Sequence, residues 1–179
     1  MENENHSQPD KPSAESGAVW IRAAAKIAAS PRCRHTVAVI DMISTLLSAA
    51  AFITLLCYLL FTNFQIAVKV ALISGSSFII FSLIRYLIDA PRPYDLYDLG
   101  KSFYGKRPGR SFPSRHIFSA FLIATLTAGF CPYSAALLFP VCAVHSACRI
   151  LSGLHFPRDV IAGAAAGALA GGLAILTVR

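Results

Sequence analysis

Charge is scarce in this chain. Asp, Glu, Lys and Arg make up 14% of its 179 residues, and only 9 are acidic, against roughly a quarter charged in an ordinary soluble domain. That shortage argues against a water-solvated globule. The five cysteines (Cys33, Cys57, Cys131, Cys142, Cys148) are an odd set with no C-x-x-C pair and no zinc-ligand spacing, so they offer no disulfide framework or zinc motif, and most read as small apolar fillers. No internal repeat is visible either. Apolar residues, by contrast, reach 55% with a mean hydropathy of +0.58. They lie in long runs that do not alternate with charge, the pattern of helices solvated by lipid.

Residues 1–17 are polar, contain Pro9 and Pro12 and lack apolar periodicity, which predicts a disordered tail. They also lack the basic start and apolar stretch of a secretory signal. Residues 18–34 predict a short amphipathic helix on the membrane surface and a linker. Arg22 and Lys26 stand four apart, and Trp20 and Ile21 supply the apolar side. Residues 35–179 form the predicted transmembrane domain.

Within it, the 27 positions after Asp41 carry no charge, placing a first span at 36–61. A turn at Asn63 leads to a second at 66–88, with Lys69 and Arg85 near its ends where long side chains snorkel to water. Residues 89–114 switch to Pro, Gly, Asp and basic residues, a loop. Residues 117–148 are again uncharged, and one helix of that length would run about 48 Å, too long for a hydrocarbon core of about 30 Å. Pro132 divides the stretch into spans at 115–130 and 133–151. Gly153 ends the fourth helix, Pro157 opens the next, and 160–178 is the fifth span. The expected fold is therefore an all-α integral membrane bundle of about five transmembrane helices plus an N-terminal interfacial helix, with loops 89–114 and 152–158 on one face. Gly163, Gly167 and Gly171 recur every fourth position and favour close packing within one bundle over dimerisation. Oligomeric state is not legible.

Ionisable side chains at span ends are functional candidates by default, and three groups converge on that face: Arg85 with Arg92-Pro93; Pro113-Ser114-Arg115-His116; and Arg149, His155 and Asp159. Guanidinium forks match phosphate oxygens bidentately and keep their charge, while helix starts at Ser114 and Pro157 add N–H donors. Asp159, in the first turn of its helix, is placed to reach back to one nitrogen of His155, presenting the other as a nucleophile or base. His116, on another helix, is then available to protonate a leaving oxygen. The chemistry this pattern suits is attack on a phosphate.

In order and spacing, Arg85-x6-Arg92-Pro93, Pro113-Ser114-Arg115-His116 and Cys148-Arg149-x5-His155-x3-Asp159 resemble the signature K-x6-R-P, P-S-G-H, S-R-x5-H-x3-D of the type-2 phosphatidic acid phosphatase superfamily, over roughly residues 60–179. The resemblance implies an all-helical core, metal-independent hydrolysis of a phosphomonoester or pyrophosphate with no cofactor, and a phosphohistidine intermediate. It implies His155 as nucleophile, Asp159 as its orienting acid, His116 as general acid, and Arg85, Arg92, Ser114 and Arg149 as phosphate ligands. Arg85 stands where the family has Lys, Arg115 where it has Gly, and Cys148 where it has Ser. Arg115 thereby becomes a possible headgroup contact, and a hydroxyl is lost at 148.

Plainer readings stand beside these. Arg85 and Asp89 are i, i+4 and suit a simple salt bridge. His145, inside the fourth span, suits a helix-to-helix hydrogen bond. Lys101, Lys106, Arg107 and Arg110 suit a basic loop drawn to anionic lipid, and Tyr94 and Tyr97 suit interfacial anchors. A rival function, binding or transporting a phosphorylated lipid without hydrolysis, needs the arginines but has no use for His116 or the His155/Asp159 pair. Nucleic acid is excluded as a partner, since no aromatic-interleaved basic module is present. The expected partners are the bilayer and a phosphorylated lipid of the undecaprenyl pyrophosphate, phosphatidylglycerophosphate or phosphatidic acid type, among which no motif chooses. The expected location is a bacterial cell membrane. With five spans, 14 of the 16 Lys and Arg residues share the site's face, which by the positive-inside rule is cytoplasmic. The resemblance implies the outer face, so the two indications oppose each other.

Overall fold

The computed structural model describes residues 18–99 and 109–178. The tail 1–17 and the basic residues Lys101, Lys106 and Arg107 lie outside the described residues. α1 (Val19–Ala29) buries Ile21, Ala24 and Ala28, one stripe at helical spacing, against α2 (Pro31–Thr62) and α6 (Ala135–Leu151). No linker follows it to residue 34. α2 starts at Pro31, whose fixed φ suits a first helical position, and the Ser30 side chain caps it by accepting from the Cys33 N–H at 3.4 Å. The first span therefore begins five residues earlier than expected, with Arg32 and Arg34 carried on its first turn.

α3 (Phe64–Ile88) is capped by Asn63, which accepts from the Ile66 N–H at 3.1 Å, and ends at Asp89 in the left-handed region (φ 41°). A four-residue turn, α4 (Pro93–Leu96), follows. Beyond it run α5 (Arg115–Phe130), a 3-10 turn at Pro132–Ser134, then α6 and α7 (Pro157–Val178). The fourth helix thus begins at Ala135 and not at 133, because Pro132 opens the tighter turn. Pro140 lies inside α6 without ending it.

Among the described residues, four helical segments (α2, α3, α6 with the turn before it, and α7) are long and apolar enough to cross a membrane, while α5 is a shorter apolar helix of 16 residues. Side chains such as Leu72, Ile79, Leu87, Leu169 and Leu176 point outward, as expected where lipid is the solvent. Inside, Leu55, Val70, Phe81, Phe118, Leu122 and Leu126 pack together, with the Phe81 and Phe118 rings stacked at 4.0 Å. Lipid tails are as apolar as leucine, so close packing supplies the attraction.

It is closest between α5 and α7. A Cβ on Gly163 would sit 2.6 Å from the Ser114 carbonyl oxygen, and one on Gly167 would collide with that of Phe118. The three glycines therefore serve the bundle interior. Of the five cysteines, only Cys142 and Cys148 are buried; Cys33, Cys57 and Cys131 are exposed and are not core fillers.

Candidate active site

The beginnings of α5 and α7 are tied together: the Ser114 N–H donates to the Asp159 carbonyl at 3.1 Å. This brings the described parts of the 89–114 loop and the 152–158 loop to one face, as expected. α1 joins them there, with Trp20 edge-on to Phe156 at 5.6 Å.

Arg85, on the last turn of α3, is 6% exposed and donates from Nη1 to the Pro113 carbonyl at 3.4 Å. It makes no salt bridge with Asp89, which faces Arg110 at 3.7 Å. Arg92 caps α4: its N–H donates to Asp95 Oδ2 at 2.9 Å, and its Nε donates to the Gly109 carbonyl at 2.9 Å. Arg85 and Arg92, with Arg110 and Arg115, line a cavity of about 360 Å³. Arg115 also borders an apolar groove of about 280 Å³ that holds His116, its guanidinium lying 5.8 Å from the Phe78 ring centre. It therefore stands between the polar cavity and the apolar groove.

Ser114 is completely buried, and its hydroxyl has no hydrogen-bond partner. Its own N–H is committed to Asp159. The first intrahelical bond of α5 runs from the Phe118 N–H to Ser114 O at 3.0 Å, so the N–H groups before it are those a helix start offers to an anion.

His155 is 1% exposed, in the turn that Gly153 (φ 67°) makes possible after α6. Its N–H donates to the Arg149 carbonyl at 3.3 Å. Asp159, fully buried, accepts at Oδ2 from the Phe156 N–H at 3.0 Å and from the Ser111 hydroxyl. The same oxygen is 3.7 Å from His155 Nδ1, an electrostatic contact longer than a hydrogen bond; catalytic hydrogen bonds commonly shorten to working length once substrate is bound.

Burial pushes the His155 pKa down, Asp159 opposes this, and the charges of Arg85, Arg92 and Arg149 push it down further, to about 4. The ring is therefore neutral at neutral pH, with Nδ1 toward the acid and Nε2 on the other side. His116, in the first turn of α5, is within electrostatic range of both Arg149 and His155.

Two participants escaped the sequence reading. Ser111 holds Asp159 but lies in no span and in no quoted motif. Asp41 had a usable signal, being a carboxylate set inside an apolar run, but served only to mark where that run begins. It lies 3.0 Å from Arg149 Nε. His145 makes the helix-to-helix contacts expected of it, to Asp41 at 3.3 Å and to Thr45 at 3.4 Å. Among the described residues no three His, Cys, Asp or Glu side chains are grouped as a metal site.

Fold and site together define a membrane-embedded helical bundle with an arginine cluster and a histidine–carboxylate pair at one end. The model of the PAP2 superfamily matches residues 66–179, and the chain belongs to that superfamily. The chain is similar to the crystal structure of Aquifex aeolicus LpxE, with 24% identity, a TM-score of 0.68, and coverage of 92% of this chain and 99% of that one. It is also similar to the first transmembrane PAP2 type phosphatidylglycerolphosphate phosphatase from Bacillus subtilis, with 16% identity, a TM-score of 0.62, and coverage of 90% and 87%. Both likenesses are likenesses of fold. No curated protein sequence matches the chain.

Proposed function

We propose that this protein is a membrane lipid phosphatase that removes phosphate from a phosphomonoester or pyrophosphate lipid through a phosphohistidine, without a metal. The observation that carries the reading is His155, buried, with the Asp159 carboxylate 3.7 Å from one ring nitrogen and the guanidinium groups of Arg85, Arg92 and Arg149 within electrostatic range. The Nε2 lone pair attacks phosphorus in line; an N–P bond forms as the bond to the lipid oxygen breaks, and His116 gives that oxygen its proton. Water, deprotonated by the now neutral His116, then breaks the N–P bond and releases phosphate. Arg85, Arg92 and Arg149, with Ser114, supply the charge stabilisation that a metal gives elsewhere. Arg115 adds a headgroup contact.

A lipid substrate suits the surroundings. The groove beside His116 shares Phe78, Ser119 and Ile123 with a second apolar groove of about 290 Å³ between α2, α3 and α5, room for a tail. The site faces the membrane–water boundary. The test is phosphate release by the purified chain from undecaprenyl pyrophosphate, phosphatidylglycerophosphate, phosphatidic acid and lipid A phosphates, each with EDTA. Release from at least one, undiminished by the chelator, is expected. Tight binding of a lipid phosphate with no release would favour a non-hydrolytic carrier.

The His155 environment also sets a pH limit. A nucleophile whose pKa is lowered to about 4 is lost only as pH falls through that value. Arg92 is one of the cations holding it down, so Arg92→Ala favours the protonated ring and moves the acid limb of kcat/KM toward neutrality, by about one pH unit. A pH–rate profile whose acid limb stays in place in that variant would separate the limb from His155.

A further inference from the structure

A second polar cluster lies behind the phosphate site. Asp41 is on the third turn of α2, buried among helices that otherwise face lipid. An intramembrane carboxylate is retained where partners justify it, and the partners here are specific. Asp41 Oδ1 lies 3.0 Å from Arg149 Nε and 3.3 Å from His145 Nε2, while His145 Nε2 is 3.3 Å from Arg149 Nε. The Thr45 hydroxyl, which is 3.4 Å from the same imidazole nitrogen, donates to the Asp41 carbonyl at 2.9 Å. Asp41 and Thr45 come from α2, and His145 and Arg149 from successive turns of α6.

The geometry points to Asp41 as the positioning residue for Arg149. A guanidinium is a rigid plane. Pairing Nε with a buried carboxylate at 3.0 Å while its N–H donates to His145 Nε2 at 3.3 Å sets that plane, so the terminal nitrogens meet the equatorial phosphate oxygens as a fixed fork and not as a mobile charge. His145 stands beside the carboxylate at 3.3 Å, and Thr45 links that imidazole to the Asp41 backbone carbonyl. This inference rests on the lipid-phosphatase reading of the site. It also extends the site beyond the residues shared with the family: Asp41 lies outside 66–179, so α2 takes part in the chemistry as well as in anchoring the chain.

The alternative is an ion pair that only fastens α2 to α6. The two differ in what a variant changes: a fastening alters the folded fraction, an alignment alters turnover and couples to Arg149. The experiment uses the full chain in detergent, the four lipid phosphates above, and Asp41→Asn, Asp41→Glu, Arg149→Lys and the Asp41→Asn/Arg149→Lys double variant, with thermal unfolding alongside. Asp41→Asn is expected to lower kcat about 100-fold, the scale of a misplacement near 1 Å, with KM within about threefold. The double variant is expected to be no slower than Arg149→Lys alone, since both remove the same alignment.

Should Asp41→Asn fail to fold, Asp41→Glu decides, because it keeps the charge and moves the carboxylate by one methylene. A kcat about tenfold lower at unchanged melting temperature supports the positioning role, and an unchanged kcat overturns it. Losses that multiply in the double variant also overturn it. A wild-type chain silent on all four lipids overturns the phosphatase reading, and this inference with it; an active wild type with multiplying losses overturns the inference alone.

Discussion

Alanine at position 155 lowers phosphate release by about four orders of magnitude or more, as expected when the nucleophile of a covalent mechanism is removed. The buried ring gives up contacts when truncated, so the melting temperature falls modestly, but the protein stays folded and still binds lipid phosphate through Arg85, Arg92 and Arg149. Binding retained without turnover is the signature sought. It is measured by a steady-state assay together with trapping of the phosphorylated protein under alkaline quench, since the N–P bond of phosphohistidine is labile in acid. Wild type accumulates labelled protein in the first turnover and the variant accumulates none. A variant that keeps its rate, or a wild type labelled at another residue, would end the assignment of His155.

The second large effect comes from a residue with no chemistry. Gly167→Ala places a methyl group against backbone atoms of α5, namely the Phe118 carbonyl and, at 3.0 Å, the Leu122 nitrogen. Backbone within a packed helix cannot rotate aside as a side chain does. The helices must separate, and overpacking of this kind costs about 1–3 kcal/mol or more. The Ser114 N–H to Asp159 carbonyl bond joins the same two helices, so separation pulls His116 and Ser114 away from His155 and activity falls with stability. Gly172→Ala is the matched control. A Cβ there meets nothing within 4 Å, and the gain in helix propensity leaves stability unchanged or raised by up to about 1 kcal/mol. Equal melting temperatures for the two variants would show that α5 and α7 are not in the contact described.

Those two positions also show what the sequence makes legible and what it hides. The every-fourth-residue glycines announce a close helix contact, but not with which helix; that α5 is the partner depends on three-dimensional packing. The spans are legible because lipid forbids charge along them, so gaps between charged residues mark their lengths. Their ends are less so: the residues up to 34, expected as a linker, include the first turn of α2, whose Arg32 and Arg34 can reach water as long basic side chains at a helix start do. The arginines and His155 are legible because they fall at three fixed spacings near helix ends. Ser111 and Asp41 are not, since each acts through a partner far away in sequence, 48 residues for Ser111 and Asp159, and neither repeats a local pattern. An acid that supports an arginine from behind leaves only one local trace, its cost in an apolar run.

The brevity of α5 has a geometric corollary. Sixteen residues rise about 24 Å, some 6 Å less than a hydrocarbon core of about 30 Å. If the Cys131 end rests at one boundary, where Tyr133 is 90% exposed, the Ser114 end stops below the opposite one. The irregular backbone around Ser114 and His155 is then tolerated at that depth because protein encloses it. On the lipid-phosphatase reading, a substrate then keeps its tail in the leaflet while its headgroup enters the arginine-lined cavity.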